Sequence, residues 1–170
     1  IFGKAAGFCA VFDVAGLDAS QGLRFSGDDS GDNFGRDVSD AGDVNGDGIA
    51  DFIGSAQNAN TVNGPSTGQA LVFFGSTDIA NMPTNGGDLD GSDGFRINGV
   101  TDSDLMREVG SADVNADGFT DLLLGSHRAD IDGQANIGQT YIVFGKAGGF
   151  DAEISLSALD GSDGAAFTGA

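Results

Sequence analysis

The stretch D-V-N-G-D-G-I-A-D at residues 43–51 returns as D-V-N-A-D-G-F-T-D at residues 113–121, 70 residues later. Both copies carry an oxygen-bearing side chain at positions 1, 3, 5 and 9: Asp43, Asn45, Asp47 and Asp51 in the first, Asp113, Asn115, Asp117 and Asp121 in the second. Position 6 is glycine in both, Gly48 and Gly118, so the backbone is free to curl those oxygens towards one point. An all-oxygen cage suits a hard cation such as Ca²⁺, which takes about 6–8 oxygen ligands. Asn, Asp and Gly also make ordinary hairpin turns, but two copies that each keep all four oxygens favour the ion. The expectation is two Ca²⁺ sites.

The loops are not EF-hands. That motif places a bidentate Glu at loop position 12 and runs into a helix, whereas position 12 here is Gly54 in one copy and Leu124 in the other. The residues after position 9, Phe52-Ile53 and Leu122-Leu123-Leu124, read as strand, so each loop joins two strands.

The 70-residue spacing extends beyond the loops. Q-A-L-V-F-F-G at 69–75 matches Q-T-Y-I-V-F-G at 139–145, and F-G-K-A-A-G-F at 2–8 matches F-G-K-A-G-G-F at 144–150. L-D-A-S-Q-G at 17–22 matches L-D-G-S-D-G at 89–94 and again at 159–164. Self-similarity at a fixed period marks a repeat architecture, and the chain holds a little over two units. Within a unit the pattern predicts four strands. The first spans residues 34–41 and 106–112, the second 50–56 and 120–126, the third 69–74 and 139–144. A shorter fourth lies at 23–26, 95–98 and 165–168.

Leu71-Val72-Phe73-Phe74 and Tyr141-Ile142-Val143-Phe144 are continuous apolar runs, which predicts sheets covered on both faces. In an antiparallel repeat the simplest cover is the neighbouring sheet, and four-stranded sheets packed face to face around an axis form a β-propeller. Thirty glycines without a three-residue period fit short strands and tight turns.

These residues resemble the FG-GAP repeats of integrin α-subunit propellers and of large secreted bacterial repeat proteins. The first copy reads Phe34-Gly35, Ala41-Gly42, the loop Asp43 to Asp51, then Phe52-Ile53-Gly54-Ser55-Ala56; the second has Leu105-Met106 in the Phe-Gly place, Ser111-Ala112 before its loop, and Leu122-Leu123-Leu124-Gly125-Ser126 after it. Both lack the closing Pro of the family pattern. The resemblance implies an all-β fold of four-stranded antiparallel blades, a partial propeller of about two and a half blades whose complete ring has seven. It divides the chain into 1–33 (end of a preceding blade plus linker), 34–99 (first blade) and 100–170 (second blade). It also implies Ca²⁺ between the first and second strands, with the carbonyls of Ile49 and Phe119 as further ligands.

The net charge of −19 excludes the clustered Lys and Arg that nucleic acid and anionic membranes require. Two divalent ions would offset four of those charges. No run of 18 apolar residues exists to span a membrane. The single cysteine, Cys9, permits no internal disulfide and reads as a small buried apolar residue. The chain opens at Ile1 inside a recurring pattern, which reads as a piece of something longer or a processed product.

Catalytic candidates are few. His127 is the only histidine and reads as a solvent-facing loop residue. Ser66 in G-P-S-T-G lacks the strand-turn-helix setting of a nucleophile elbow. Gly3-Lys4 and Gly145-Lys146 are followed by Ala5 and Ala147 where a P-loop has Ser or Thr. G-G-D-L-D-G at 86–91 has Leu89 where the nonapeptide calcium repeat has glycine. Arg128-Ala129-Asp130 reads as a chance match to an adhesion tripeptide, Asp28-Asp29 as a solvated pair, and Phe25, Phe34, Phe95 and Phe144 as core. The expectation is a non-enzymatic, calcium-binding scaffold for adhesion or assembly in a secreted or surface protein. Its partners are other blades of the same polypeptide or further copies, with a protein or glycan ligand. The alternatives are the accessory, glycan-binding propeller of a secreted hydrolase or lyase, and a subunit of an extracellular filament or surface layer.

Overall fold

The apolar runs that end in Phe-Gly become the middle of two sheets. The computed structural model describes residues 1–5, 7, 13–102 and 105–169; Cys9 lies outside the described residues. The first blade comprises β1 (Phe34–Gly42), β2 (Asp51–Ala56), β3 (Gln69–Phe73) and β4 (Gly94–Asn98), paired antiparallel in that order. The second comprises β5 (Glu108–Ala112), β6 (Asp121–Ser126), β7 (Gln139–Val143) and, after the short β8 (Glu153–Ser155), β9 (Gly164–Thr168). Among the described residues there is no α-helix, only four 3-10 turns. The fold is all-β, built of four-stranded antiparallel blades.

The two blades repeat in register. Ile53 pairs with Val72 in one, and Leu123 with Ile142 in the other, which is the 70-residue spacing read directly in three dimensions. The first strands differ: β1 carries irregularities between Phe34 and Val38 and between Asp40 and Gly42, while β5 pairs without a break. Leu105 takes a positive φ of 51°, a conformation that a branched side chain rarely adopts. Accordingly β5 begins at Glu108 rather than at residue 106.

Both faces of β3 are buried. Ile53, Ala70, Val72, Phe95 and Ile97 share one core with Leu122, Leu124, Tyr141 and Val143 of the second blade. On the opposite face Leu71, Phe73 and Leu89 meet Phe25, Phe34 and Phe52, with the Phe52 and Phe73 rings stacked at 5.0 Å. Phe95 is fully buried, and Phe25, Phe34 and Phe144 are half-buried. The second blade is covered on one face only. Leu123 and Ile142, the counterparts of Ile53 and Val72, are half-buried, and Phe167 is 55% exposed. The blades are stacked, and they do not close a ring.

Two features depart from the expected strands. Residues 23–26 form no strand; Ser26 makes a single parallel bridge to Asn85. β8, which the sequence did not predict, adds to the first sheet as a parallel neighbour of β4. These are one feature in two places, because residues 26 and 85 stand where Asn98 and Ser155 stand at the next junction, and Asn98 pairs with Ser155. At both junctions the end of one unit is thus clasped by the next. At the second junction Glu153 accepts from Arg96 at 3.1 Å and from Asn98 at 3.2 Å.

Candidate metal centre

Each acidic loop caps the hairpin between a blade's first and second strands. In the first, Asp43 accepts backbone N–H bonds from Asp47 (3.0 Å) and Gly48 (2.9 Å), Asn45 Oδ1 accepts from Asp47 (3.0 Å), and Asp47 Oδ1 accepts from Ile49 (2.7 Å). The amide of Asn45 donates to the other Asp47 oxygen at 3.1 Å. The second loop repeats four of these five bonds: Asp113 accepts from Gly118, Asn115 from Asp117, Asp117 from Phe119, and Asn115 donates to Asp117. Gly48 and Gly118 take φ of +85° and +93°, the left-handed turn expected of position 6.

The position-9 carboxylates behave differently. Asp51 is 2% exposed and Asp121 is fully buried. Asp51 accepts from the N–H of Val44 at 2.9 Å and from that of Gly75 at 2.8 Å. Asp121 accepts from Val114 at 2.9 Å and Gly145 at 3.0 Å. Each therefore ties the start of its loop to the glycine of the Phe-Gly pair that ends the third strand. Burial, reinforced by repulsion from Asp47 and Asp43, pushes the Asp51 carboxyl up to about 6 against the pull of its two N–H donors.

This bracing role was not read from the sequence. The signal for it was the co-repetition of Asp51 with Gly75 and of Asp121 with Gly145, which share one 24-residue separation. A side chain at Gly75 would collide with the carbonyl of Ala50, and one at Gly145 with that of Thr120.

The donor set fits a hard cation in kind: carboxylate and amide oxygens at positions 1, 3 and 5, with a carboxylate behind them whose charge repulsion a cation would relieve. It is not drawn together into a cage. Among the described residues no three Asp, Glu, His or Cys side chains form a group that could hold a metal ion, and the withdrawal of Asp51 and Asp121 onto backbone N–H groups is the physical reason. The loops also differ in setting. Asp43 and Asn45 are half-buried against the second blade, whereas Asp113, Asn115 and Asp117 are all exposed.

The FG-GAP repeat family model matches residues 107–143, the span from the start of β5 to the end of β7. The second blade carries an FG-GAP repeat. The first blade repeats the pairing of its second and third strands in the same register, 70 residues earlier. FG-GAP repeats occur in extracellular and surface proteins, and their blades are propeller-like. Among the described residues no helix is long and apolar enough to cross a membrane. No curated protein matches the chain.

The remaining sequence candidates are dispersed. His127 is exposed, 3.8 Å from Glu108. Ser66 lies in a turn between β2 and β3 at φ 50°, its N–H donating to Asn60. Asp28 and Asp29 are exposed on the linker before β1.

Proposed function

We propose that this FG-GAP segment is a calcium-binding structural module of a secreted or surface protein, serving adhesion or assembly and carrying out no catalysis of its own. The observation that carries this reading is the retention of Asp, Asn, Asp and Asp at positions 1, 3, 5 and 9 in both loops, together with the family match. The side chains of Asp43, Asn45, Asp47 and Asp51 and the carbonyl of Ile49 would hold one ion. Asp113, Asn115, Asp117, Asp121 and the carbonyl of Phe119 would hold the other. When bound, Ca²⁺ supplies positive charge to a hairpin otherwise crowded with anions.

The chain's part is to hold those oxygens on loop N–H groups, and to fix the loop's base through Asp51 and Asp121. Cover for the free face of the second blade comes from further blades of the same polypeptide or from other copies, and a protein or glycan ligand would bind the assembled surface. The reading is tested by calorimetric titration of chelator-treated protein with Ca²⁺, with melting followed in parallel. Two bound ions and a rise in Tm are expected. With free Ca²⁺ at about 100 times Kd, the gain is about 2.7 kcal/mol per site. No uptake and no shift in Tm would remove calcium from the account.

A further inference from the structure

The two loops are identical at six of their nine positions and differ at positions 4, 7 and 8: Gly46 against Ala116, Ile49 against Phe119, Ala50 against Thr120. None of these carries a side-chain oxygen in the first loop. Three of the six residues meet at the blade junction. A methyl group on Gly46 would collide with the Phe119 ring, and one on the neighbouring Gly42 would collide with Thr120. The Thr120 N–H donates to the Asp43 carbonyl at 3.2 Å, and its hydroxyl accepts from the Asp43 N–H at 3.3 Å. Lys146 and Gly148 donate to the carbonyls of Val44 and Asn45 at 3.0 and 3.3 Å. The first loop is thus inserted between the second loop and the segment after β7.

The second loop presents methyl groups at both key places, Ala112 and Ala116, and both are exposed. Ala116 takes the left-handed backbone that Gly46 takes, at φ 62° against 75°, so the turn itself does not demand glycine. Contact with Phe119 does. One other junction side chain changes in the same way: Ser55, which donates to the Arg107 carbonyl, has Gly125 as its counterpart, whereas Asp37, whose carboxylate accepts from Val109, keeps a carboxylate in Glu108.

We propose that the first loop is a keyed latch, in which Gly42 and Gly46 receive Thr120 and Phe119, so that the two loops are ordered together and the blades can stack in one order only. The second loop cannot serve as this latch for a neighbour bearing the same Phe-Thr pair. It admits a smaller pair, such as the Ile49-Ala50 of the first blade.

The test is hydrogen exchange on the full chain, read at the junction amides of Thr120, Lys146 and Gly148, with Ca²⁺ absent throughout. Gly46→Ala should speed their exchange on the order of tenfold, while Ala116→Gly leaves them unchanged. In a Phe119→Ala background the effect of Gly46→Ala should shrink to about twofold or less, since the ring it strikes is gone. Exchange that rises only within residues 43–51, or a Gly46→Ala effect of the same size in both backgrounds, overturns the latch. A second arm rests on the calcium reading. If both loops bind Ca²⁺, Asp117→Asn should weaken binding at the first loop by on the order of fivefold, and unchanged first-loop affinity refutes the coupling. Failure of either loop to bind Ca²⁺ removes the calcium reading, and the exchange result decides the latch by itself.

Discussion

The two blades repeat one sequence pattern and the same pairing of their second and third strands, yet the first is a covered blade and the second a flank. Ile53 and Val72 are fully buried, whereas their counterparts Leu123 and Ile142 are half-buried. The loops follow suit: Val44 is fully buried, and its counterpart Val114 is 46% exposed. Hydrophobic pattern is therefore a property of the repeat, and burial a property of its position in the stack. The apolar runs of β6 and β7 are written for a neighbour on each side.

The largest expected effect comes from truncating equivalent core positions. Ile53→Ala removes a branched side chain from the interface between blades and should cost about 3 kcal/mol. Leu123→Ala, facing the open flank, should cost less, about 1–2 kcal/mol, because its side chain is already partly exposed to water. Urea unfolding of the two variants measures both. Equal losses would mean that the flank of the second blade is covered in solution, and the contrast between blades would fail.

Asp51 and Asp121, in contrast, should be equivalent despite their different surroundings. Each is buried, and each satisfies two backbone N–H groups that have no other acceptor in the loop base. Replacement by Ala strands those donors and should cost about 2 kcal/mol at either site. Thermal unfolding without Ca²⁺ isolates this brace from any ligand role. A loss at only one of the two positions would show that the brace depends on the junction rather than on the loop.

Much of this architecture is legible in the sequence. The repeat length, the second and third strands, the loop between strands and the blade architecture all follow from local residue patterns, since turn chemistry and apolar runs act within a few residues. What was not readable depends on contacts between units. β8 is only three residues, Glu-Ile-Ser, with no periodicity to announce it; it is a strand because Arg96 and Asn98 reach Glu153 across the junction. Residues 23–26 hold the place of β4 at the preceding junction but make only the Ser26 bridge. At the candidate metal centre the oxygens at positions 1, 3 and 5 were legible as a set. The burial of Asp51 and Asp121 was not, because their partners Gly75 and Gly145 lie 24 residues away on the third strand.

A smaller effect sharpens the comparison from the other side. Ala116 holds a left-handed backbone with an L side chain, which costs about 1–2 kcal/mol relative to a right-handed turn. Ala116→Gly relieves that strain while adding freedom to the unfolded chain, so a gain of less than about 1 kcal/mol is expected in Tm measurements. A loss of stability would mean that the Ala116 methyl makes a contact in solution, and that the second loop is not the free member of the pair.

The smallest effect concerns the turns that should not distinguish the blades at all. Asp18, Asp90 and Asp160 each accept a bond from the side chain and then the backbone N–H of the serine two residues on, and both bonds hold the carboxyl below its ordinary range. The serine N–H distances are 2.8, 2.9 and 2.9 Å at Ser20, Ser92 and Ser162. A carboxylate with a depressed folded pKa contributes stability that is present above the unfolded pKa, about 4, and is lost as pH falls through the lower folded value. The three turns are exposed, so each contribution is small and screened by salt. Melting followed between pH 5 and pH 3 should therefore show a slight acid destabilisation that flattens when Ser20, Ser92 and Ser162 are changed together to Ala. The single changes should be alike, because nothing from a neighbouring blade reaches these carboxylates. A markedly larger effect at one of them would place that turn in a junction, and would carry the difference between the blades into a motif that otherwise repeats without change.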